Sequence, residues 1–225
     1  MFYATSIDGD WTGLNPIAPE SNDTYGSQNS FELVIDGSKT PAYIYMGDAW
    51  LSRGSDASNY LWLPMSVETD PPSVTLEYHS MWKVDVNTGV VSWPTTKKRY
   101  EAEDAVLLGR AAVRDCDHCS SKRAVHQVHS ESEVVFYNVT GSGSVEWFSF
   151  HYKAKNPSSG DAYVYVNDDP EAIYLSKVNH FAGHRPSVSV QLRLDPGDDN
   201  IIRFGGTGSL DFGLVLDAIE LHGKD

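Results

Sequence analysis

The sequence predicts an all-β protein, because short strand-like runs recur along its whole length and no segment shows helical periodicity. The chain has 225 residues, of which 40% are apolar and 12% aromatic, so it is long enough to bury a sizeable core. Gly, Pro, Asn and Asp separate the runs, as in antiparallel sheets joined by tight turns. A short polar and basic joint at residues 95–99 predicts two domains, 1–96 and 97–225.

Residues 1–96 contain many aromatics within short runs, a pattern typical of propeller blades or of part of a β-sandwich. Asp36-Gly37-Ser38 lies between two of these runs and indicates a hairpin. The predicted strands are 2–6, 31–35, 42–50, 60–65, 74–78, 82–86 and 90–93.

Strand-like runs recur about every 10 to 15 residues in 97–225, which predicts an antiparallel β-sandwich of jelly-roll type. The run 144–154 alternates, with Val145, Trp147 and Phe150 among its bulky apolar residues. The predicted strands are 100–108, 124–128, 133–139, 144–154, 162–166, 172–178, 187–194, 200–204 and 214–221.

The net charge of -14 argues against nucleic acid and anionic membranes as partners. No run of about 18 apolar residues predicts a membrane span, and no signal-peptide pattern follows Met1. We expect the chain to be a monomer.

Arg99-Tyr100-Glu101-Ala102-Glu103-Asp104 alternates, so in a strand Glu101 and Glu103 would project from one face. Two carboxylates about 7 Å apart repel unless a cation or water separates them. Asp217, in the last predicted strand, would join them if the first and last strands of the domain are neighbours. The pattern fits either a solvated strand edge or a site for a hard cation such as Ca²⁺.

The same residues resemble a known family. Tyr100-Glu101-Ala102-Glu103-Asp104 and Leu216-Asp217-Ala218-Ile219 are similar to carbohydrate-binding modules of family 35 and the related family 6, a likeness that covers residues 97–225. Residues 1–96 resemble the last blades of a five-bladed β-propeller of glycoside hydrolase family 43. The segments that carry this second likeness are 11–16, 27–31, 43–50, 60–64 and 81–85. The order of the two parts resembles that of fungal exo-β-1,3-galactanases (galactan 1,3-β-galactosidases).

The resemblance implies a fold, a ligand and a metal. It implies a partial propeller followed by a jelly roll, in an extracellular protein that binds polysaccharide, here β-1,3-galactan of arabinogalactan. It also implies a structural Ca²⁺ bound by Glu101, Glu103 and Asp217, with help from backbone carbonyls of 120–123. Sugar contacts are expected in loops near one end of the sandwich, at Gln127, Asn179, Asp211 and Phe212.

Cys116-Asp117-His118-Cys119 is a C-x-x-C motif. Zinc would need two more ligands and no second C-x-x-C exists, and a redox role would need a βαβ unit. Related modules carry a similar short-range pair, so the resemblance implies a disulfide between Cys116 and Cys119.

Gln28 is the candidate functional residue of the first part. Glycosidases normally use two carboxylates, but in the exo-galactanases a Gln occupies the region of the catalytic base, and Gln28 matches it. A neutral amide is a poor proton acceptor, so Gln28 would orient the attacking water or the sugar; alternatively, it is a loop amide with its hydrogen bonds satisfied. In that family the blades with the catalytic acid would precede Met1, so we expect this chain alone to be an inactive fragment. The alternative is a non-catalytic polysaccharide-binding or scaffold protein.

Two Asn-x-Thr sequons, at Asn22 and Asn138, would be potential N-glycosylation sites in a secreted protein.

Overall fold

The computed structural model describes residues 2–13, 16–18, 23–50, 58–154, 160–175, 187–209, 211 and 213–223. This part of the chain forms two compact units that divide between Trp93 and Pro94, called unit 1 and unit 2 below. The all-β prediction is confirmed, since the described residues form strands and one short 3-10 helix but no α-helix. They include no helix of the length and apolarity needed to cross a membrane.

Unit 1 is built around a four-stranded antiparallel sheet in the order β3-β4-β5-β6. The predicted hairpin is present: Asp36 pairs with Pro41 where β3 turns into β4. Two small two-stranded sheets, β1-β2 and β7-β8, accompany it. The strands are β1 (Phe2–Tyr3), β2 (Thr12–Gly13), β3 (Gln28–Asp36), β4 (Pro41–Ala49), β5 (Asn59–Thr69), β6 (Pro72–Leu76), β7 (Lys83–Val84) and β8 (Val91–Ser92).

The core of unit 1 is small. Tyr45 of β4 and Leu63 of β5 are paired and fully buried on one face of the sheet, and Tyr25 packs there. The Tyr25 hydroxyl donates a 2.8 Å hydrogen bond to the carbonyl of Leu76, which ties the preceding loop to β6. The opposite face leaves Phe31 58% exposed, although it pairs with Met46 of β4.

Unit 2 is a sandwich of two antiparallel sheets. One has the order β10-β13-β18-β15-β16, and the other β11-β12-β19-β14-β17 with β9 also paired to β19. The strands are β9 (Thr96–Glu101), β10 (Val106–Leu108), β11 (Ala112–Asp115), β12 (Arg123–Val128), β13 (Glu133–Gly141), β14 (Val145–Ala154), β15 (Ala162–Val166), β16 (Ile173–Leu175), β17 (Ser187–Arg193), β18 (Gly197–Gly206) and β19 (Leu214–His222).

Alternation along the strands of unit 2 builds a single large core. Phe148 and Phe150 of β14 are fully buried, and Phe150 stacks on Phe204 of β18 with ring centroids 6.0 Å apart. β19 lies beside three strands and contributes Leu216, Ile219 and others to this core. The first and last strands of the unit are therefore neighbours: Glu101 of β9 pairs with Ala218 of β19.

One predicted strand is wrong. The run 100–108 is not continuous, because β9 ends at Glu101 and a 3-10 helix, Ala102–Asp104, follows it. The chain crosses there from one sheet to the other, and Ala102 is fully buried at the crossover. Glu101 and Glu103 thus do not project from the same face of one strand. The short strand β11 was not predicted.

Candidate functional site

Two of the three predicted cation ligands meet at the junction of β9 and β19. Glu101 and Asp217 both contact Arg99, whose guanidinium lies 2.7 Å from Glu101 Oε1 and 3.2 Å from Asp217 Oδ2. Arg99 also forms an ion pair with Glu220, two strand positions before the end of β19. One internal guanidinium therefore bridges three carboxylates of the terminal strands.

Ser120 completes this cluster from the loop before β12. Its hydroxyl lies 2.8 Å from Glu101 Oε2 and 3.1 Å from Asp217 Oδ1. Its backbone N–H donates to Asp217 Oδ1 over 3.2 Å. Glu101 and Asp217 therefore each turn one carboxylate oxygen towards Ser120.

The carboxylates of the cluster differ in their electrostatics. Burial raises the pKa of Asp217, with Arg99 and Ser120 acting against that effect. Burial would also raise the pKa of Glu220, but the nearby His151 and Arg99 outweigh it and lower that pKa to about 2. His151 Nε2 lies 3.1 Å from Glu220 Oε2, so Glu220 contacts two cationic or potentially cationic groups. The pKa of Asp217 is therefore raised and that of Glu220 lowered, although both carboxylates contact Arg99.

Glu103 lies apart from Glu101 and Asp217, because the 3-10 helix turns it away from β9. The Ser121 hydroxyl donates to Glu103 Oε1, and Arg123 Nη2 is 3.8 Å from the same oxygen. The side chain is only 2% exposed, and its other oxygen, Oε2, is buried without a hydrogen-bond partner. Within the described ranges, no three His, Cys, Asp or Glu side chains are grouped as a ready metal site.

Cys116 and Cys119 form a disulfide in the loop that leads to Ser120, with Cα atoms 5.4 Å apart. Cys119 is buried and packs with Ala124 and Val215. The disulfide therefore restrains the loop on which Ser120 and Ser121 stand.

The predicted sugar contacts are only partly described. Gln127 lies in β12 with a left-handed backbone, at φ +62°, where the pairing with β19 shifts register. Gly213 lies against it, since a Cβ on Gly213 would be 2.9 Å from Gln127 Cα. Asp211, two residues before Gly213, is exposed. Gln127 and the segment of Asp211 therefore lie at one end of the sandwich, whereas Asn179 and Phe212 lie outside the described residues.

In unit 1, Gln28 begins β3 and pairs with Asp48 of β4. Trp50 Nε1 donates a 3.0 Å hydrogen bond to Gln28 Oε1, and both side chains are exposed. The amide of the neighbouring Asn29 donates to Glu32. Gln28 thus presents its NH₂ group while its oxygen is held by an indole.

Sequence reasoning missed Arg99, Glu220 and Trp50, and it named the loop 120–123 for its backbone carbonyls but not for the Ser120 hydroxyl. The sequence pattern could have identified Arg99, because this residue precedes Glu101 by two positions and therefore shares its strand face. Glu220 follows from pairing β9 with β19, which places it opposite Arg99. Ser120 and Trp50 have no sequence signal of this kind, since they lie outside regular strands.

Comparisons with solved structures give a likeness over nearly the whole chain. An exo-beta-1,3-galactanase from Phanerochaete chrysosporium, solved with beta-1,3-galactotriose, matches 98% of this chain at 28% identity and a TM-score of 0.77. The same enzyme solved with galactose matches 98% at 28% identity and a TM-score of 0.74. This chain covers 49% of that protein, so it spans about half its length.

A family 35 carbohydrate binding module from Clostridium thermocellum matches 57% of this chain and 100% of its own, at 23% identity and a TM-score of 0.47. No protein-family model and no curated protein matches the chain. What the comparisons establish is that the chain has the fold of part of a carbohydrate-active enzyme.

Proposed function

We propose that this chain binds carbohydrate through unit 2 and that its ligand is β-1,3-galactan. The observation that carries the proposal is the likeness over 98% of the chain to an enzyme solved with beta-1,3-galactotriose. In this proposal the chain is part of a fungal family 43 exo-β-1,3-galactanase, with unit 2 as its family 35 module and unit 1 as propeller blades. Its alternative is a non-catalytic polysaccharide-binding or scaffold protein.

The loop end of unit 2 is the proposed binding site. Sugar sites combine an apolar, usually aromatic platform with amide or carboxylate groups that bind hydroxyls. Gln127, which lies against Gly213, and Asp211 supply polar groups, and Asn179 and Phe212 are the further proposed contacts.

Calorimetric titration with β-1,3-galactotriose tests this site. Gln127→Gly keeps a residue that accepts a positive φ while removing the amide. Gln191→Gly is the matched control, because Gln191 is an exposed glutamine on β17. We expect Gln127→Gly and Asp211→Ala each to weaken binding about tenfold, or about 1.4 kcal/mol. Equal affinities for all three variants and the wild type would place the site elsewhere, and no wild-type binding would refute galactan as the ligand.

We propose no hydrolytic turnover for this chain by itself. Glycoside hydrolysis uses two carboxyl groups, and the candidate at the expected base position is the neutral Gln28. Gln28 would orient water or sugar in a longer enzyme, steadied by Trp50. We expect no galactose release from β-1,3-galactan above the rate without protein; release that scales with protein concentration would contradict this.

We also propose a structural Ca²⁺ bound by Glu101, Glu103 and Asp217. Three features support it: Glu101 and Asp217 converge on Ser120, Glu103 Oε2 is buried without a partner, and burial raises the pKa of Asp217. A hard divalent cation would supply the missing positive charge. Glu103 would have to turn from Ser121 to complete the ligand set.

Thermal unfolding in Ca²⁺ and in chelator tests the metal. Ca²⁺ is expected to raise the melting temperature of the wild type, and Glu103→Gln is expected to abolish that rise. Glu131→Gln, a change at an exposed glutamate, is the control that keeps the rise. Identical wild-type melting temperatures in Ca²⁺ and in chelator would contradict the proposed metal site. Arg99 would then be the cation that balances the negative charge of the carboxylates.

Finally, we propose an extracellular monomer. The disulfide between Cys116 and Cys119 supports an oxidising compartment. Light scattering checks the oligomeric state: a dimer mass at micromolar concentration would contradict the proposal.

A further inference from the structure

Asn138 lies in a bulge of β13. Phe136 pairs with Ile202 and Val139 pairs with Asn200, so β13 advances three residues while β18 advances two. The extra residue is accommodated at Asn138, whose φ is +55°, a left-handed conformation that Asn tolerates better than most residues. Phe136 and Val139 on either side are buried, whereas Asn138 is exposed. The bulge therefore interrupts the alternation of the strand and leaves this asparagine at the surface.

The Asn138 side chain makes no hydrogen bond to any residue in the described part of the chain. Val139 supplies the core packing of this part of the strand, because it is fully buried, whereas Tyr137 is 52% exposed. The Asn138 amide is thus not needed to hold β13, and a substituent on its nitrogen displaces no contact with described residues.

The remaining residues of Asn138-Val139-Thr140 are fixed by the fold. The Thr140 hydroxyl donates to Asp198 Oδ1 over 2.6 Å and accepts from Lys98 Nζ over 2.9 Å. The Thr140 backbone N–H donates to the Tyr100 hydroxyl over 2.9 Å. An enzyme that must read the threonine hydroxyl therefore has access to it only before β13 is in place.

We propose that Asn138 carries an N-linked glycan, attached while the chain enters a secretory compartment and before β13 pairs with β18. The inference rests on the extracellular placement proposed above. The donor is a lipid-diphosphate-linked oligosaccharide. The Asn138 Nδ2 forms a bond to the anomeric carbon of the sugar, the bond from that carbon to the diphosphate oxygen breaks, the amide loses one proton, and the lipid diphosphate leaves.

Secretion of the full chain from a yeast host tests the modification. Peptide mapping after treatment with peptide N-glycosidase F reads conversion of a modified asparagine to aspartate and separates position 138 from the sequon at Asn22. We expect more than half of the wild-type chains to be modified at 138. Unmodified Asn138 in the secreted wild type would overturn the proposal.

Three variants test whether modification depends on the sequon. Asn138→Asp removes the acceptor nitrogen but keeps a residue that tolerates a positive φ. Thr140→Val removes the hydroxyl, and Thr140→Ser is the matched control that keeps it. Modification is expected in Thr140→Ser and lost in the other two, with the melting temperature of Asn138→Asp equal to that of the enzymatically deglycosylated wild type. Loss in Thr140→Ser as well would contradict sequon recognition.

The timing is tested separately. Unglycosylated protein made in bacteria is offered to microsomal oligosaccharyltransferase and its lipid-linked donor, either folded or reduced and unfolded. Modification at 138 is expected only in the unfolded sample, and modification of the folded sample would refute attachment before folding. These readouts are masses, so they stand independently of whether the chain binds galactan.

Discussion

Arg99 is the cation that the carboxylates at the junction of β9 and β19 share. Its side chain is 22% exposed and bridges Glu101, Asp217 and Glu220. Partly buried carboxylates that lose their only strong cation are costly, because their charge is then neither hydrated nor paired. The proposed Ca²⁺ and Arg99 act in the same direction, since both reduce repulsion within the cluster.

Arg99→Met should therefore destabilise unit 2 by about 3 kcal/mol while keeping the aliphatic bulk of the side chain. Arg114→Met is the matched control, because Arg114 is exposed on β11. Urea unfolding with intrinsic tryptophan fluorescence measures both. Equal midpoints for Arg99→Met and the wild type would show that the guanidinium contributes nothing net.

The protonation of His222 is a second single-residue contribution to stability. Burial lowers its pKa below the ordinary value of 6.5; Glu220 acts against this and His151 adds to it. Its Nε2 lies 2.7 Å from the Ser149 hydroxyl. The folded state therefore prefers the neutral ring more strongly than the unfolded state does.

The sign of the pH dependence follows. The contribution of His222 to stability is fully present above about pH 6.5 and is lost as the pH falls through the lowered folded-state pKa. His222→Gln keeps a hydrogen-bonding amide near Ser149 but does not titrate. Between about pH 7 and pH 5, the melting temperature of this variant should therefore fall less than that of the wild type. Parallel pH profiles for the variant and the wild type would contradict this assignment.

At the scale of elements, the strand pairings follow from alternation, but the crossover at Ala102 does not. The run 100–108 looks continuous, since its apolar residues keep strand spacing, yet the chain leaves one sheet after Glu101 and joins the other at Val106. Burial of Ala102 between the sheets decides this, and burial is a tertiary property. For the same reason the sequence predicts that Glu101 and Asp217 lie at the junction, but not that Glu103 turns away or that Glu220 joins them.

Gly141 ends β13 where the chain packs against the loop before β18. A Cβ there would lie 2.3 Å from the backbone oxygen of Asp195 and 2.6 Å from Leu194 Cβ. Gly141→Ala should destabilise by about 1–3 kcal/mol, because backbone has to move. Gly223→Ala is the control, with nearest contacts of 3.4 Å or more, and should stay within about 0.5 kcal/mol. Chemical unfolding of the two variants compares them, and an unchanged Gly141→Ala would show that the strand end yields easily.

At the scale of the whole molecule, the two units differ in how much core they bury. The described core of unit 1 is the small cluster around Tyr25, Tyr45 and Leu63, while that of unit 2 spans both sheets of a sandwich. Unit 1 also exposes Phe31, Trp50 and Trp62. The sequence pattern predicts the sandwich of 97–225, but it does not predict the exposed face of unit 1, because the sequence does not show what covers an apolar strand.

Residues 94–225 expressed alone should melt cooperatively, whereas residues 1–93 alone should show a broad, low transition. Buried apolar area is the main favourable term in folding, and unit 1 has little of it among the described residues. Scanning calorimetry of both pieces measures this. Cooperative melting of 1–93 at or above the temperature of 94–225 would contradict it.

The most direct test of carbohydrate binding is calorimetric titration of the full chain with β-1,3-galactotriose and, in parallel, with β-1,4-galactotriose. The account predicts saturable binding of the β-1,3-linked sugar, at least about tenfold tighter than the β-1,4-linked one, a difference of about 1.4 kcal/mol. Absence of binding to the β-1,3-linked sugar, or equal affinity for both, would contradict β-1,3-galactan as the ligand and leave the chain with the fold of part of a galactanase but not with its ligand.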